Sequence, residues 1–290
     1  MCGIVGLHLR DPELHPQLGA LLESMLCPMA ERGPDSAGVA VYGDRRRVPP
    51  GHAAVSLLDA PRDLDVALPY ARVTRVGQTT VVSAPVDPDA LVDSVLDTAP
   101  GATVVGTGRE LTVYKGTGHP AALARTYGLA GAAGWQGLAH TRMATESAVT
   151  ASACHPFSVG PDQCLVHNGS FANHATIRRE LEHDGVRFDS DNDSEVGARF
   201  VATRLAQGDD LDKALRLLCE RFDGFYTLLV TSADGFAVVR DAIACKPAII
   251  AEHPRWVAMA SEFRALAELP GIDEARLFEP EPERVYAWSR

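Results

Sequence analysis

Short apolar runs set off by turn residues recur along the whole chain, and longer segments between them repeat an apolar residue every three or four positions. The runs have the length and boundaries of strands, and the longer segments have the stripe of amphipathic helices. Such a chain must pack sheets against helices, which predicts a layered α+β domain. The chain has 290 residues, 46% hydrophobic and 22% charged, ample for a sizeable core, and no internal repeat interrupts the pattern.

Residues 1–43 read as strand, helix, strand. Ile4, Val5 and Leu7 form the first run; Leu18, Leu21, Leu22, Met25, Leu26 and Met29 form one helical stripe; Ala37, Val39 and Val41 alternate. Residues 44–134 differ in texture and predict a small βαββ insertion. Arg45–Arg47 with Pro49-Pro50 reads as a linker. Val73, Val76, Val81 and Val82 suggest strand, Asp87-Pro88 starts a helix, and Val104-Val105 and 111–114 suggest further strands. Beyond 135, strands are expected at 138–141, 164–167, 225–231, 236–240, 247–251 and 256–260. Helices are expected around Ile177 and Leu181, from Asn192 with Glu195 as a capping pair, and through Leu211, Leu215 and Leu218.

The net charge of -11 argues against a nucleic-acid partner, and no run of about 18 apolar residues suggests a membrane span. The first residues lack the basic and long apolar stretches of an export signal, so a cytoplasmic location is expected. The six cysteines, at 2, 27, 154, 164, 219 and 245, contain no Cys-x-x-Cys pair. They read as reduced thiols with no zinc or iron–sulfur site, and no metal or cofactor is expected in this chain.

Cys2 stands apart. Removal of Met1, favoured by a small second residue, would make it the first residue. A free α-amine has a pKa of about 7.7–8.0, suited to proton transfer near neutrality. One residue would then supply both a thiol nucleophile and a base. The plainer alternative is a buried cysteine on a first strand.

The segment Cys2-Gly3-Ile4-Val5-Gly6 followed by Arg32-Gly33-Pro34-Asp35-Ser36-Ala37-Gly38 resembles the start of the class II glutamine amidotransferases, which are N-terminal nucleophile hydrolases. His140-Thr141-Arg142-Met143-Ala144-Thr145, Val166-His167-Asn168-Gly169 and Asp193-Ser194-Glu195 match further family segments in the same order. So do Arg240-Asp241 with Lys246-Pro247, and Ala260-Ser261-Glu262. The resemblance spans nearly all of residues 2–290 outside the stretch 44–134. It implies a four-layer αββα sandwich with 44–134 as a small inserted α/β unit.

It also implies roles. Cys2 attacks the side-chain amide of L-glutamine. Asn168, through its side-chain NH₂, and Gly169, through its backbone N–H, form the oxyanion hole; outside this register an Asn-Gly pair would read as a hairpin turn. Arg142 grips the substrate carboxylate, which a guanidinium does bidentately. Asp193 pairs with the substrate ammonium, although a charge at a helix start would look the same in sequence. Thr145 lines the glutamine pocket and Arg32 orders the nucleophile loop. His140 and His167 fall in strand-like segments, neither matches the family's base, and both read as satisfied structural histidines. Asp35 reads as a turn stabiliser.

The chain departs from common family members in three ways. Residues 44–134 are longer than the usual link, Met143 and Glu146 replace frequent residues, and Arg290 follows with no room for a second, ammonia-consuming domain. The pattern is similar to stand-alone amidotransferase subunits of glutamate-synthase-like and N-methylglutamate synthase systems. That similarity implies a separate synthase subunit, a hetero-oligomer, and any flavin or iron–sulfur cluster held by the partner. Two other readings compete: an N-terminal nucleophile amidase with another amide substrate, and a non-catalytic subunit that senses glutamine.

Overall fold

The computed structural model describes residues 2–143 and 149–290. In chain order the strands are β1 (Gly3–Leu9), β2 (Ser36–Tyr42), β3 (Ala53–Leu58), β4 (Arg72–Val76), β5 (Thr79–Ala84), β6 (Thr103–Gly108), β7 (Leu111–Thr117), β8 (Gln136–Arg142), β9 (Cys164–Phe171), β10 (Gly224–Thr231), β11 (Gly235–Arg240), β12 (Ile249–His253), β13 (Trp256–Ala260), β14 (Arg276–Phe278) and β15 (Tyr286–Ser289). The helices are α1 (Leu18–Leu26), α2 (Leu64–Ala67), α3 (Pro88–Thr98), α4 (Pro120–Tyr127), α5 (His174–His183), α6 (Asp193–Ala206) and α7 (Leu211–Arg221).

Three antiparallel sheets form. The largest has the order β14-β12-β13-β1-β8-β2-β7, the second β15-β11-β10-β9, and the third β4-β5-β3-β6. Side chains alternate across each strand, so β1 sends Ile4 to one face and Val5 and Leu7 to the other. Ile4, Leu138 and Met259 of the first sheet pack on Val166, Leu229 and Phe236 of the second. On its outer face, the first sheet's Val5, Leu7 and Val39 pack on Leu18, Leu22 and Met25 of α1. The second sheet's outer face, with Leu165, Leu228 and Val230, is covered by Ile177 of α5, Val196 and Val201 of α6, and Leu215 and Leu218 of α7. The layers therefore run helix, sheet, sheet, helix. Each buried leucine of these stripes contributes about 1.5–3 kcal/mol.

The helical stripe expected through Met29 stops earlier, because Pro28 breaks the α-helical run and Cys27–Glu31 continues as a 3₁₀ turn. The start of α6 also differs from the expected capping pair. The Asn192 side chain accepts from Ser194 N at 2.9 Å, as an N-cap does. Glu195, however, turns away and accepts from Asp189 N (2.9 Å) and Ser190 N (2.8 Å), while Ser190 Oγ takes up Asn192 N.

The stretch 44–134 is more than the expected βαββ unit. It contributes β3 to β6, with α3 packing Leu91 and Val95 on Val55 and Leu57 of β3. The start of α3 follows the sequence, with Asp87 accepting from Asp89 N at 3.1 Å. β3 was not expected: its alanines have weak strand propensity, and it follows the proline-rich linker. β7 lies within the stretch but pairs with β2 at the edge of the large sheet, and Ala124 and Tyr127 of α4 belong to the core beneath that sheet.

Candidate active site

The two large sheets face each other at the ends of β1, β8 and β9, and a cleft of about 420 Å³ opens there. Cys2, Arg32, His140, Arg142, Asn168, Gly169 and Asp193 all line it.

Cys2 immediately precedes β1, which is held between β13 and β8. Its carbonyl accepts from Arg32 Nε at 2.9 Å and from Asn168 Nδ2 at 3.3 Å. The Arg32 side chain is 9% exposed and its guanidinium pairs with Glu262 Oε1 at 2.5 Å. Next along, Ile4 N donates to Ser261 Oγ and Ser261 N donates to Ile4 O, each at 2.9 Å. The Arg32 and Ala260-Ser261-Glu262 segments thus tie down the backbone that carries the thiol. Burial pushes the Cys2 thiol up, but the His140 imidazole beside it and the Met143 backbone N–H outweigh that, and the thiol is lowered to about 7. Burial pushes Cys27, Cys154 and Cys219 up, and Cys164 up to about 12.

Asn168 and Gly169 lie on β9, the edge strand of the second sheet. Gly169 has φ +136°, and a Cβ there would stand 1.9 Å from the Phe225 carbonyl oxygen, so no other residue fits. Tyr226 lies across from Gly169, yet its N–H donates to Asp241 Oδ1 and its carbonyl accepts from Asp241 N. Gly169 therefore points its N–H away from β10, toward the open edge of the sheet.

Asp193 is the first residue of α6. Its Oδ2 accepts from Phe171 N at 2.8 Å, which fixes the carboxylate while it borders the cleft. It is both a helix-start charge and a cleft residue. The Arg142 carbonyl accepts from Asp35 N at 3.1 Å, closing the turn that precedes β2. Thr145 lies outside the described residues.

His167 is held as a structural histidine on one side only, since it also borders the cleft and its buried Nε2 has no hydrogen-bond partner among the described residues. Its Nδ1 meets Ser194 Oγ at 2.8 Å, its ring stacks on Phe171, and burial foremost holds it well below the ordinary histidine range. His140 departs further from the structural expectation, because it meets the Asn168 side chain and lies beside the Cys2 thiol. Its Nε2 lies 3.0 Å from Asn168 Oδ1, and its ring lies tilted against His155 with centroids 4.2 Å apart. The sequence reading also passed over His155 and Ser194 as cleft residues, and Lys246, quoted only within a matching segment, borders the cleft with its Nζ 5.0 Å from the Phe225 ring centroid. No local signal marks them, since they reach the cleft from two separate loops and from the start of α6.

Among the described residues no group of three or more His, Cys, Asp or Glu side chains is placed to hold a metal ion, and no helix is long and apolar enough to cross a membrane. A larger cleft, about 620 Å³, lies between the third sheet and residues 149–152 and contains none of these groups.

Comparison with known proteins adds to this geometry. A family model described as a glutamine amidotransferase domain matches residues 140–268. The glutamine amidotransferase-like protein GlxB of Rhizobium meliloti is 46% identical over 99% of this chain and 98% of that protein. A putative glutamine amidotransferase of Methanothermobacter thermautotrophicus is 29% identical over 99% of each. Similarity to the glutamine–fructose-6-phosphate aminotransferase of Mycolicibacterium smegmatis, 34% identical, covers 48% of this chain and 23% of that enzyme. The fold matches the glutamine phosphoribosylpyrophosphate amidotransferase of B. subtilis with a TM-score of 0.63 at 17% identity, over 99% of this chain. That match spans about half of the B. subtilis chain, 49%.

Proposed function

Since the chain belongs to the class II glutamine amidotransferases, we propose that it hydrolyses L-glutamine to glutamate and ammonia through a thioester on Cys2. The observation that carries the reading is the meeting of Cys2, Asn168, Gly169, Arg142 and Asp193 around one cleft, although they come from four separate parts of the chain.

In this mechanism Met1 is removed and the Cys2 α-amine becomes free. The amine takes the thiol proton as sulfur attacks the side-chain amide carbon. Asn168 Nδ2 and the Gly169 N–H hold the resulting oxyanion. The intermediate collapses as the ammonium returns its proton to the leaving nitrogen, releasing ammonia and leaving a glutamyl thioester. Water then loses a proton to the amine and attacks the thioester carbon; the C–S bond breaks, sulfur recovers the proton, and glutamate departs. Arg142 pairs with the substrate carboxylate and Asp193 with its ammonium, a combination that selects a free amino acid over an N-acylated amide. Thr145 is assigned to glutamine binding by the family resemblance alone, and Arg32 holds the Cys2 carbonyl. The chain's own part requires no metal or cofactor.

Free ammonia would waste the glutamine, so the proposal includes an acceptor: a separate synthase subunit of the glutamate-synthase-like or N-methylglutamate-synthase-like kind, with 44–134 as the docking surface. Co-purification from the native host followed by mass spectrometry tests the partner. Glutaminase assay of Cys2→Ala with all partners present tests the chemistry. Loss of glutamate formation is expected, and wild-type turnover would exclude the mechanism.

A further inference from the structure

An Asn side chain used as an oxyanion donor has a built-in ambiguity. Its amide ends are nearly the same size, and a half-turn would aim the carbonyl oxygen, instead of the NH₂, at the developing negative charge. Something must hold the orientation. Asn168 is 6% exposed and has three polar neighbours. On the Nδ2 side are the Cys2 carbonyl at 3.3 Å and Ser261 Oγ at 3.5 Å; on the Oδ1 side is His140 Nε2 at 3.0 Å. The Cys2 carbonyl can only accept, so it requires the NH₂ to face it. An amide oxygen can also only accept, so the His140 nitrogen facing it must carry the proton. The first two contacts are at the long end of the hydrogen-bond range, and the His140 contact is the short one.

The placement of His140 follows from the sheets. It lies across from Ile4 on β1 and from Gly38 on β2, and Ile4 points into the space between the sheets, so His140 does too. From there it reaches the facing surface of β9. A Cβ on Gly38 would stand 1.9 Å from the His155 carbonyl oxygen; its absence lets the 155 segment enter and lay the His155 ring against His140. His140 is 1% exposed, so its ring has little freedom to turn.

We propose that His140 is a positioning residue: held between the sheets as the Nε2–H tautomer, it locks the Asn168 amide with its NH₂ toward the oxyanion. The inference rests on the proposed use of Asn168 as an oxyanion donor. It removes His140 from the purely structural class and predicts an effect on kcat instead of on glutamine binding, because the oxyanion exists only after attack.

The test compares His140→Gln, whose amide can offer an N–H near the position of Nε2, with His140→Leu, which cannot. Each is also combined with Asn168→Ala in a double-mutant cycle of steady-state glutaminase kinetics. His140→Leu should lower kcat by about ten- to a hundredfold, less than the about 10²–10³ of losing a donor outright, with KM within about twofold. His140→Gln should recover most of the loss. Because His140 also lowers the Cys2 thiol, the Leu substitution should keep a residual cost in the Asn168→Ala background, but one markedly smaller than in wild type, the difference being the coupling through Asn168. Equal losses in both backgrounds, or a rise in KM with kcat intact, would overturn the proposal. If His140→Leu is too unstable to assay, His140→Ala takes its place in the same cycle, with coupling to Asn168→Ala supporting the lock and equal losses in both backgrounds refuting it. The Asn168→Ala single variant tests the underlying reading by itself: a kcat near wild type would remove Asn168 as a donor, whereas a large loss there with no coupling to His140 would overturn only the lock, so the two failures are distinguishable.

Discussion

The Cys2 thiol, lowered to about 7, should react with disulfides almost as fast at neutral pH as in mild alkali. The rate at which Cys2 exchanges with a small disulfide follows its thiolate fraction. An unperturbed thiol near 8.5 is about 3% ionised at pH 7 and about three-quarters ionised at pH 9, so its rate climbs about twenty-five-fold over that interval. A thiol near 7 is already about half ionised at pH 7 and gains only about twofold. Steric access affects both ends of the interval equally and cancels in the ratio, which matters for a partly buried residue. The assay is timed quenching at pH 7 and 9, with peptide mass spectrometry following residue 2. Cys27, Cys154, Cys164 and Cys219 are pushed up by burial and should lag at pH 7. A rise of twentyfold or more for Cys2 would refute the reasoning, because it would mean that burial outweighs His140 and the Met143 N–H.

Asn168→Ala should lower kcat about 10²–10³-fold with little change in KM, read from steady-state glutaminase kinetics. Gly169→Ala should lower both activity and the thermal midpoint, since φ +136° and the Phe225 carbonyl oxygen oppose any Cβ; backbone strain of this kind costs of order 1–3 kcal/mol, checked by thermal melts. Asp193→Asn keeps an oxygen for the Phe171 N–H but loses the charge, so KM for glutamine should rise at least about tenfold while the melt shifts little. A normal KM would reduce Asp193 to a helix-start charge.

The parts of the fold that were legible in sequence are those fixed by near neighbours. The α1 stripe, the Asp87 cap of α3 and the alternation in β2 depend on spacing within a few residues. β7 shows the boundary of that approach. Its Leu111–Tyr114 run marks a strand, but nothing in it says that it pairs with β2 rather than with the third sheet, because pairing is decided by the partner. The site divides in the same way. Cys2, Asn168, Gly169, Arg142 and Asp193 stood out because each lies in a segment with a family resemblance. His140 lay in such a segment too and was still assigned to the core. Its role depends on β8 facing β9 across the sandwich, and on an amide oxygen 28 positions away. The tie between Ile4 N and Ser261, 257 positions apart, is equally invisible along the chain.

The most direct test of the account is the identity of the first residue in catalytically active protein, together with the site of attachment of a reactive glutamine analogue such as a diazoketone. Intact-mass and peptide mass spectrometry on the same sample report both. The account predicts a chain beginning at Cys2 and a single adduct on its sulfur, with activity lost in proportion to labelling. Full turnover by protein that still carries Met1, or inactivation with the adduct elsewhere, would contradict it.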